Sequence, residues 1–65
     1  MKSQREIDEA SRRFLQRFGT DAPAQADLRA AELVALGDID GQKLWLSIRD
    51  VTRKLLDRPG DTTRH

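Results

Sequence analysis

Residues 37–48 read GDIDGQKLWLSI and contain Trp45, the only tryptophan of the chain. The opening glycine and aspartate are typical of one helix ending and another beginning, because glycine accepts a left-handed backbone and aspartate caps a helix amino terminus. After this turn, apolar side chains recur at helical spacing at Trp45, Ile48, Val51 and Leu55. The stretch therefore predicts a helical corner that directs a large indole into a core. It indicates an architecture and does not indicate a reaction.

A first helix is predicted over about residues 4–18. Ser3 and Glu6 have the spacing of a capping box, in which each side chain accepts a hydrogen bond from the amide of the other residue. Gly19 follows at the position where a left-handed residue commonly closes a helix. One face of this helix is expected to point inward, and it consists of Ile7, Ser11, Phe14 and Phe18.

A second helix is predicted over about residues 22–36, because Pro23 is tolerated in the first turn of a helix and no deeper. This helix has two apolar faces. One consists of Ala24, Leu28, Ala31 and Ala35, and the other consists of Ala26, Ala30 and Leu33. Two such faces fit a central helix between two neighbours, which is the interpretation we favour. They also fit a helix with one face inside and the other docked on a partner.

A third helix is predicted over about residues 40–56. Asp38 and Asp40 both suit the position that caps it, and the sequence leaves the two alternatives open. The side chains expected to point inward are Leu44, Trp45, Ile48, Val51, Thr52 and Leu55. Leu46 lies almost opposite to them on the helix, which places it on the outer side.

Short connections make consecutive helices antiparallel neighbours, so the pattern predicts an all-α three-helix bundle over residues 1–57. The same elements also fit a helix-turn-helix variant. Residues 58–65 contain no apolar side chain that could anchor them, and we expect a flexible, disordered C-terminal tail there. A chain of 65 residues forms one domain at most, and such a small domain is only marginally stable.

Composition argues against several kinds of site. The chain has no cysteine, and its lone histidine is the last residue, His65, so we expect neither a disulfide nor a metal centre. A calcium loop beginning at Asp38 is disfavoured, because Arg49 would occupy its closing position. The chain lacks the groups that nucleophilic or acid–base catalysis needs, and it is too small for a closed pocket. We therefore expect no enzyme activity, no cofactor and no small-molecule substrate.

Charge and hydropathy restrict the partners. Charged residues make up 35% of the chain, but the formal net charge is only +1, whereas nucleic-acid binders usually carry a clear basic excess. No apolar run approaches the ~20 residues that span a membrane, and the amino terminus lacks the apolar segment of a secretory signal. We therefore expect no membrane association and a cytoplasmic location.

An apolar association surface is the most informative functional prediction. The second face of the middle helix and the outer leucine of the third helix give a possible interface of Ala26, Ala30, Leu33 and Leu46. The alternative is that these are ordinary surface side chains without a function. We predict a non-enzymatic protein–protein interaction module, either a homodimer or an adaptor for another protein.

The runner-up function is a trihelical regulator that binds nucleic acid with its third helix in the major groove. Basic side chains on that helix could meet phosphates. Asp38 and Asp40 argue against this function, because they stand at the end of the helix that usually enters the groove. Nucleic acid is therefore the less favoured partner.

Three motifs stand at residues 19–22, 29–33 and 37–48, and they read GTDA, RAAEL and GDIDGQKLWLSI. In the pattern G-x-D-A, R-A-x-x-L and G-D-x-x-G-x-x-x-W-x-x-I, the chain resembles a family of short uncharacterised alphaproteobacterial helical proteins. The resemblance covers about residues 7–56. It implies three helices and a bacterial cytosolic protein, and it implies no activity, ligand or site residue. This chain has Val51-Thr52 where similar sequences tend to be fully apolar, so the resemblance implies a slightly looser core after Trp45.

Overall fold

The computed structural model describes residues 3–57, and within that range the chain is helical and has no strand. Helix α1 covers Gln4–Phe18, α2 covers Ala22–Ala35 and α3 covers Ile39–Leu56. A 3₁₀ turn, Gly19–Asp21, joins α1 to α2. The prediction of an all-α protein is confirmed.

The junction between α1 and α2 differs from the predicted connection. Helical residues follow one another without a break from α1 through the 3₁₀ turn into α2, so the two helices form one long, bent helical segment. Gly19 has a positive φ of 60° and closes α1 as predicted, but the 3₁₀ turn carries the helical path past it into α2. The amide of Ala22 donates to the carbonyl of Gly19, and Pro23 next to it has no amide hydrogen and so requires no acceptor. The predicted three-helix bundle is therefore confirmed only in its helical content.

Both ends of α1 carry local hydrogen bonds that explain its extent. The predicted capping box is present: Ser3 Oγ accepts from the Glu6 amide at 3.3 Å, and Glu6 Oε1 accepts from the Ser3 amide at 3.2 Å. At the other end, the Gly19 amide donates to the carbonyl of Leu15. These bonds satisfy backbone groups that have no partner within the helix.

A tight turn ends α2. Gly37 has a φ of 83°, its amide donates to the Val34 carbonyl at 2.9 Å, and the Asp38 amide donates to the Leu33 carbonyl at 2.8 Å. This pair of bonds is the Schellman motif, which needs a left-handed residue at the position of Gly37. The predicted end of the second helix at this glycine is confirmed.

Asp38 caps α3. Its carboxylate accepts a hydrogen bond from the Gly41 amide at 2.9 Å, which decides between the two caps that the sequence left open. The helix therefore begins at Ile39, one residue earlier than predicted, and Asp40 lies in its first turn. A Cβ atom on Gly41 would stand 2.7 Å from Asp38 Oδ2 and 3.0 Å from Leu33 Cδ1, so only glycine lets the cap and α2 approach this closely.

Replacing Gly37 with alanine is expected to lower the free energy of unfolding by about 1–2 kcal/mol, because a Cβ atom disfavours a left-handed backbone. In a domain of this size, each kcal/mol corresponds to a fall in Tm of about 4–8 °C. Thermal unfolding followed by circular dichroism measures the change. Gly37→Asn is the matched control and should cost less, since asparagine tolerates positive φ. Equal losses in the two variants would contradict the explanation.

Helix α3 packs antiparallel on α2. Gly41 lies next to Leu33, and Arg49 reaches Asp27, so residue numbers rise along one helix as they fall along the other. The contact surface of α2 is a stripe of small side chains four residues apart, which are Ala22, Ala26 and Ala30. All three are buried. Small side chains allow the two helix axes to approach closely.

The core contains two buried hydroxyl side chains, and both are satisfied within their own helices. Ser11 Oγ donates to the Ile7 carbonyl at 2.7 Å, and Thr52 Oγ1 donates to the Arg49 carbonyl at 2.9 Å. These two are the largest fully buried side chains in residues 3–57, and Ile48 is the only buried large hydrophobic residue there. The core of the described chain is consequently thin.

The described part of the chain includes no helix that is long and apolar enough to cross a membrane. The predicted C-terminal tail, residues 58–65, lies outside the described residues.

Candidate association surface

The outer face of α2 is an exposed apolar surface. Its side chains lie opposite the buried alanine stripe, and they are Ala24, Leu28, Ala31 and Ala35. Leu28 is 56% exposed, although it is a large hydrophobic residue. The structure therefore covers one of the two apolar faces of this helix and leaves the other open, which matches the alternative interpretation of the sequence and not the favoured one. We refer to this surface as the outer face.

The residues that the sequence proposed for an interface lie elsewhere. Ala26 is 0% exposed and Ala30 is 3% exposed, because both pack in the contact with α3. Leu33 and Leu46 are half-buried. The location of the predicted interface therefore needs correcting: its two alanines are core residues and cannot contact a partner. Association itself stays a prediction.

Two large hydrophobic side chains project at the turn between α2 and α3. Leu36 is 79% exposed and Ile39 is 49% exposed. The carboxylates of Asp38 and Asp40 stand beside them and are also exposed. We refer to residues 36–40 as the acidic corner. These residues are visible in the sequence, but their roles in capping and turning the chain account for them there without a surface role.

An aromatic groove lies between the end of α1 and α2. It is open and has a volume of about 310 Å³. Its apolar lining consists of Phe14, Phe18 and Leu28, and its polar rim consists of Arg17, Gln25, Arg29 and Glu32. The groove therefore continues the outer face, since Leu28 belongs to both.

The aromatic rings beneath this groove form a cluster. The Phe14 and Phe18 ring centroids are 4.6 Å apart, and the Phe14 and Trp45 centroids are 5.2 Å apart at an interplanar angle of 65°. Edge-to-face pairs at such distances stabilise beyond their buried area. Trp45 is half-buried there, so the predicted direction of the indole is confirmed. This cluster holds α1 against α3.

Two arginines form a basic rim on the aromatic groove. The Arg17 guanidinium carbon lies 5.6 Å from the centroid of the Phe18 ring, and that of Arg29 lies 5.8 Å from the centroid of the Trp45 ring. Arg29 also pairs with Glu32 at 3.5 Å, while its side chain stays 59% exposed. Arginines held over aromatic faces keep their charge available at the surface.

A second groove lies near the start of α3 and is wide, with a volume of about 670 Å³. Ile7 and Leu44 supply its apolar lining, and its polar lining is Asp38, Asp40, Gly41, Lys43 and Ser47. Within residues 3–57, no three or more side chains of metal-ligating type come together, here or elsewhere. The groove is therefore an open surface with both apolar and polar side chains, and it contains no metal-ligating cluster.

Arg49 links α2 to α3. Its guanidinium donates to Asp50 at 3.0 Å and to Asp27 at 3.1 Å. Hydrogen bonds to Asp50 and then to Asp27 raise the pKa of Arg49 above its ordinary value, so the group stays charged at any physiological pH. We assign this pair of contacts to holding the helices together and not to binding.

No protein-family model, curated protein or solved structure matches this chain. The outer face, the acidic corner and the aromatic groove are therefore the features that bear on its function.

Proposed function

We propose that this protein is a non-enzymatic interaction module that binds a protein partner, either itself or another chain, through the outer face of α2 and the adjoining acidic corner. The observation that carries the proposal is the distribution of large hydrophobic side chains. Leu28, Leu36 and Ile39 are exposed, whereas the buried hydrophobic residues are three alanines and Ile48. Large hydrophobic side chains are therefore exposed here, although a stable small domain normally buries them.

The energetic argument favours covering this surface. Fully burying one leucine or isoleucine side chain contributes ~1.5–3 kcal/mol. Leu28, Leu36 and Ile39 are 56%, 79% and 49% exposed, so covering the exposed parts would contribute roughly 3–5.5 kcal/mol. The whole stability expected for 65 residues is roughly 3–10 kcal/mol. A partner on this surface would add to that stability by mass action.

The alternative functions have less support. The two grooves are open, and catalysis needs a water-excluding pocket with a paired nucleophile and base. For nucleic acid, Asp38 caps α3 and Asp40 lies in its first turn. These carboxylates would face phosphate at the end of the helix that normally enters the groove. Protein association is therefore our first choice and nucleic-acid binding the runner-up.

We also propose that the two arms of the bent segment act with α3 as the three members of a helical bundle. The contact between Phe14 and Trp45 supports this arrangement. The motif pattern supports membership in the alphaproteobacterial family that the chain resembles, and with it a bacterial cytoplasmic setting.

Changing Leu28 and Leu36 together to glutamine is expected to abolish association while leaving helicity unchanged, because both side chains are mostly exposed within one chain. Sedimentation over a wide concentration range measures the mass, and circular dichroism measures the helicity. Leu56→Gln is the matched control, since Leu56 is a partly exposed leucine at the far end of α3. Its mass should equal that of the unchanged protein.

A chain that sediments as a monomer up to millimolar concentration and whose Leu28→Gln/Leu36→Gln variant loses no partner of the native cell would contradict the proposed function. Salt-sensitive binding of random duplex DNA by the unchanged protein would instead favour the runner-up, because phosphate contacts weaken steeply as salt rises.

A further inference from the structure

We propose that the partner is a second copy of this chain, and that the two copies form a symmetric, antiparallel pair through the outer face of α2. In this pair, the acidic corner of each copy lies against the aromatic groove of the other. The inference rests on the proposed function and specifies its partner and geometry. Such a two-fold arrangement uses one surface twice, as most homodimers do.

The positions along α2 fit a two-fold axis between Ala31 and Glu32. Leu28 and Ala35 lie three and a half residues on either side of that midpoint, about 5 Å along the helix. An antiparallel second copy therefore places each Leu28 opposite the small side chain of Ala35. The large side chain of Leu28 therefore meets a small one on each side of the axis, which favours close helix packing.

Shape agrees with this register. The aromatic groove is an open hollow of about 310 Å³ on the side of α2 that carries Leu28. Leu36 is a projecting apolar side chain, 79% exposed, immediately after the last residue of the same helix. The register that centres the axis near Ala31 brings Leu36 of one copy beside Leu28 of the other. An exposed apolar projection and an apolar hollow are thereby covered in the same contact.

Charge decides the direction of the pairing. The rim of the aromatic groove carries Arg17 and Arg29, and the acidic corner carries Asp38 and Asp40. In the antiparallel pair, the end of α2, where the acidic corner begins, lies opposite Asp27 and Leu28 of the second copy. Leu28 lines the aromatic groove, so the acidic corner comes to the rim that carries Arg17. A parallel pair would place the two acidic corners together, where like charges repel.

The other acidic groups of α2 are already engaged within one chain. Asp27 accepts a hydrogen bond from Arg49 at 3.1 Å, and Glu32 pairs with Arg29 at 3.5 Å. Their charge is partly neutralised, so they oppose the close approach of two copies of α2 less than free carboxylates would. The attraction between Arg17 and the acidic corner is then the main charge interaction across the pair.

Cysteine cross-linking tests the geometry directly, because the chain has no native cysteine. An Ala31→Cys variant should form a disulfide-linked dimer with itself under mild oxidation, since residue 31 lies next to the two-fold axis. Ala24→Cys should not link to itself. A mixture of Leu28→Cys and Ala35→Cys should give the mixed dimer, because those positions face each other.

The outcomes separate the inference from the proposed function. Self-linking of Ala24→Cys and of Ala35→Cys would indicate a parallel pair and overturn the antiparallel geometry, while association would stand. Capture of a different protein by a monomeric chain would overturn the second copy as partner, and the proposed function would stand. A chain that stays monomeric and binds no protein would overturn both.

Exchanging the charges tests independently whether Arg17 contacts the acidic corner of the second copy. Arg17→Asp and Asp40→Arg are each expected to weaken the dimer roughly tenfold, because every substitution occurs twice in a symmetric pair. Combining the two substitutions in one chain should restore most of the affinity. Arg13→Asp is the control, since Arg13 is exposed on α1 and does not line the groove, and it should leave the dimer unchanged. If the losses of dimer affinity instead added up in the combined variant, the contact between Arg17 and the acidic corner would be overturned.

Discussion

Replacing Ala26 with leucine is expected to lower the free energy of unfolding by about 3 kcal/mol, which approaches the whole stability of a small domain. Ala26 is 0% exposed and stands in the middle of the alanine stripe on which α3 packs. Three added heavy atoms have no space there, so α3 must move away from α2. Chemical denaturation followed by circular dichroism measures the loss. Quenching of Trp45 fluorescence by acrylamide should increase in the same variant.

Ala24→Leu is the matched control, because Ala24 is an exposed alanine on the same helix. Measured in dilute solution, where association does not contribute, it should change the free energy of unfolding by no more than about 0.5 kcal/mol. If Ala26→Leu and Ala24→Leu behaved alike, α3 would not pack on the stripe, and the assignment of inner and outer faces would have to be exchanged.

Replacing Trp45 with alanine is expected to cost about 3 kcal/mol and to leave much of the protein unfolded at moderate temperature. The indole forms an edge-to-face contact with Phe14 and lies beneath the guanidinium of Arg29. Its removal leaves α1 with little to pack against. Thermal unfolding followed by circular dichroism measures the fall in Tm.

Two controls accompany this variant. Trp45→Phe keeps an aromatic ring against Phe14 and should lose less than half as much stability. Leu56→Ala removes a partly exposed side chain at the end of α3 and should have little effect. A Trp45→Ala variant as stable as the Leu56→Ala variant would falsify the role that we assign to the aromatic cluster.

Helix boundaries could be predicted from the sequence wherever a local rule acts alone. The capping box of Ser3 and Glu6 and the left-handed Gly37 are rules of this kind, and both predicted the ends of their helices correctly. The junction around Gly19–Asp21 was predicted as a break, because glycine followed by aspartate and proline usually marks one. The same residues are also compatible with a 3₁₀ turn, and the local sequence does not distinguish such a turn from a break.

The candidate surface was predictable only in part, because the two faces of α2 have nearly the same composition. Ala26 and Ala30 on one face and Ala24 and Ala31 on the other are equivalent by periodicity. Which face is buried depends on where α3 packs, and the Gly37 turn sets that direction in three dimensions. The sequence therefore predicted two apolar faces but assigned them wrongly. The sequence also leaves open whether Asp38 or Asp40 caps α3. Both side chains can accept the capping hydrogen bond, and the backbone conformation determines which of them does so.

Asp38 belongs to two helices at once, since its amide closes α2 and its carboxylate opens α3. Because so few residues separate these helices, the entropy lost in bringing them together is small. The α2–α3 hairpin should therefore form in the folding transition state, with α1 docking afterwards. Substitutions at the corner would then slow folding, whereas a substitution in α1 such as Phe14→Ala would chiefly accelerate unfolding.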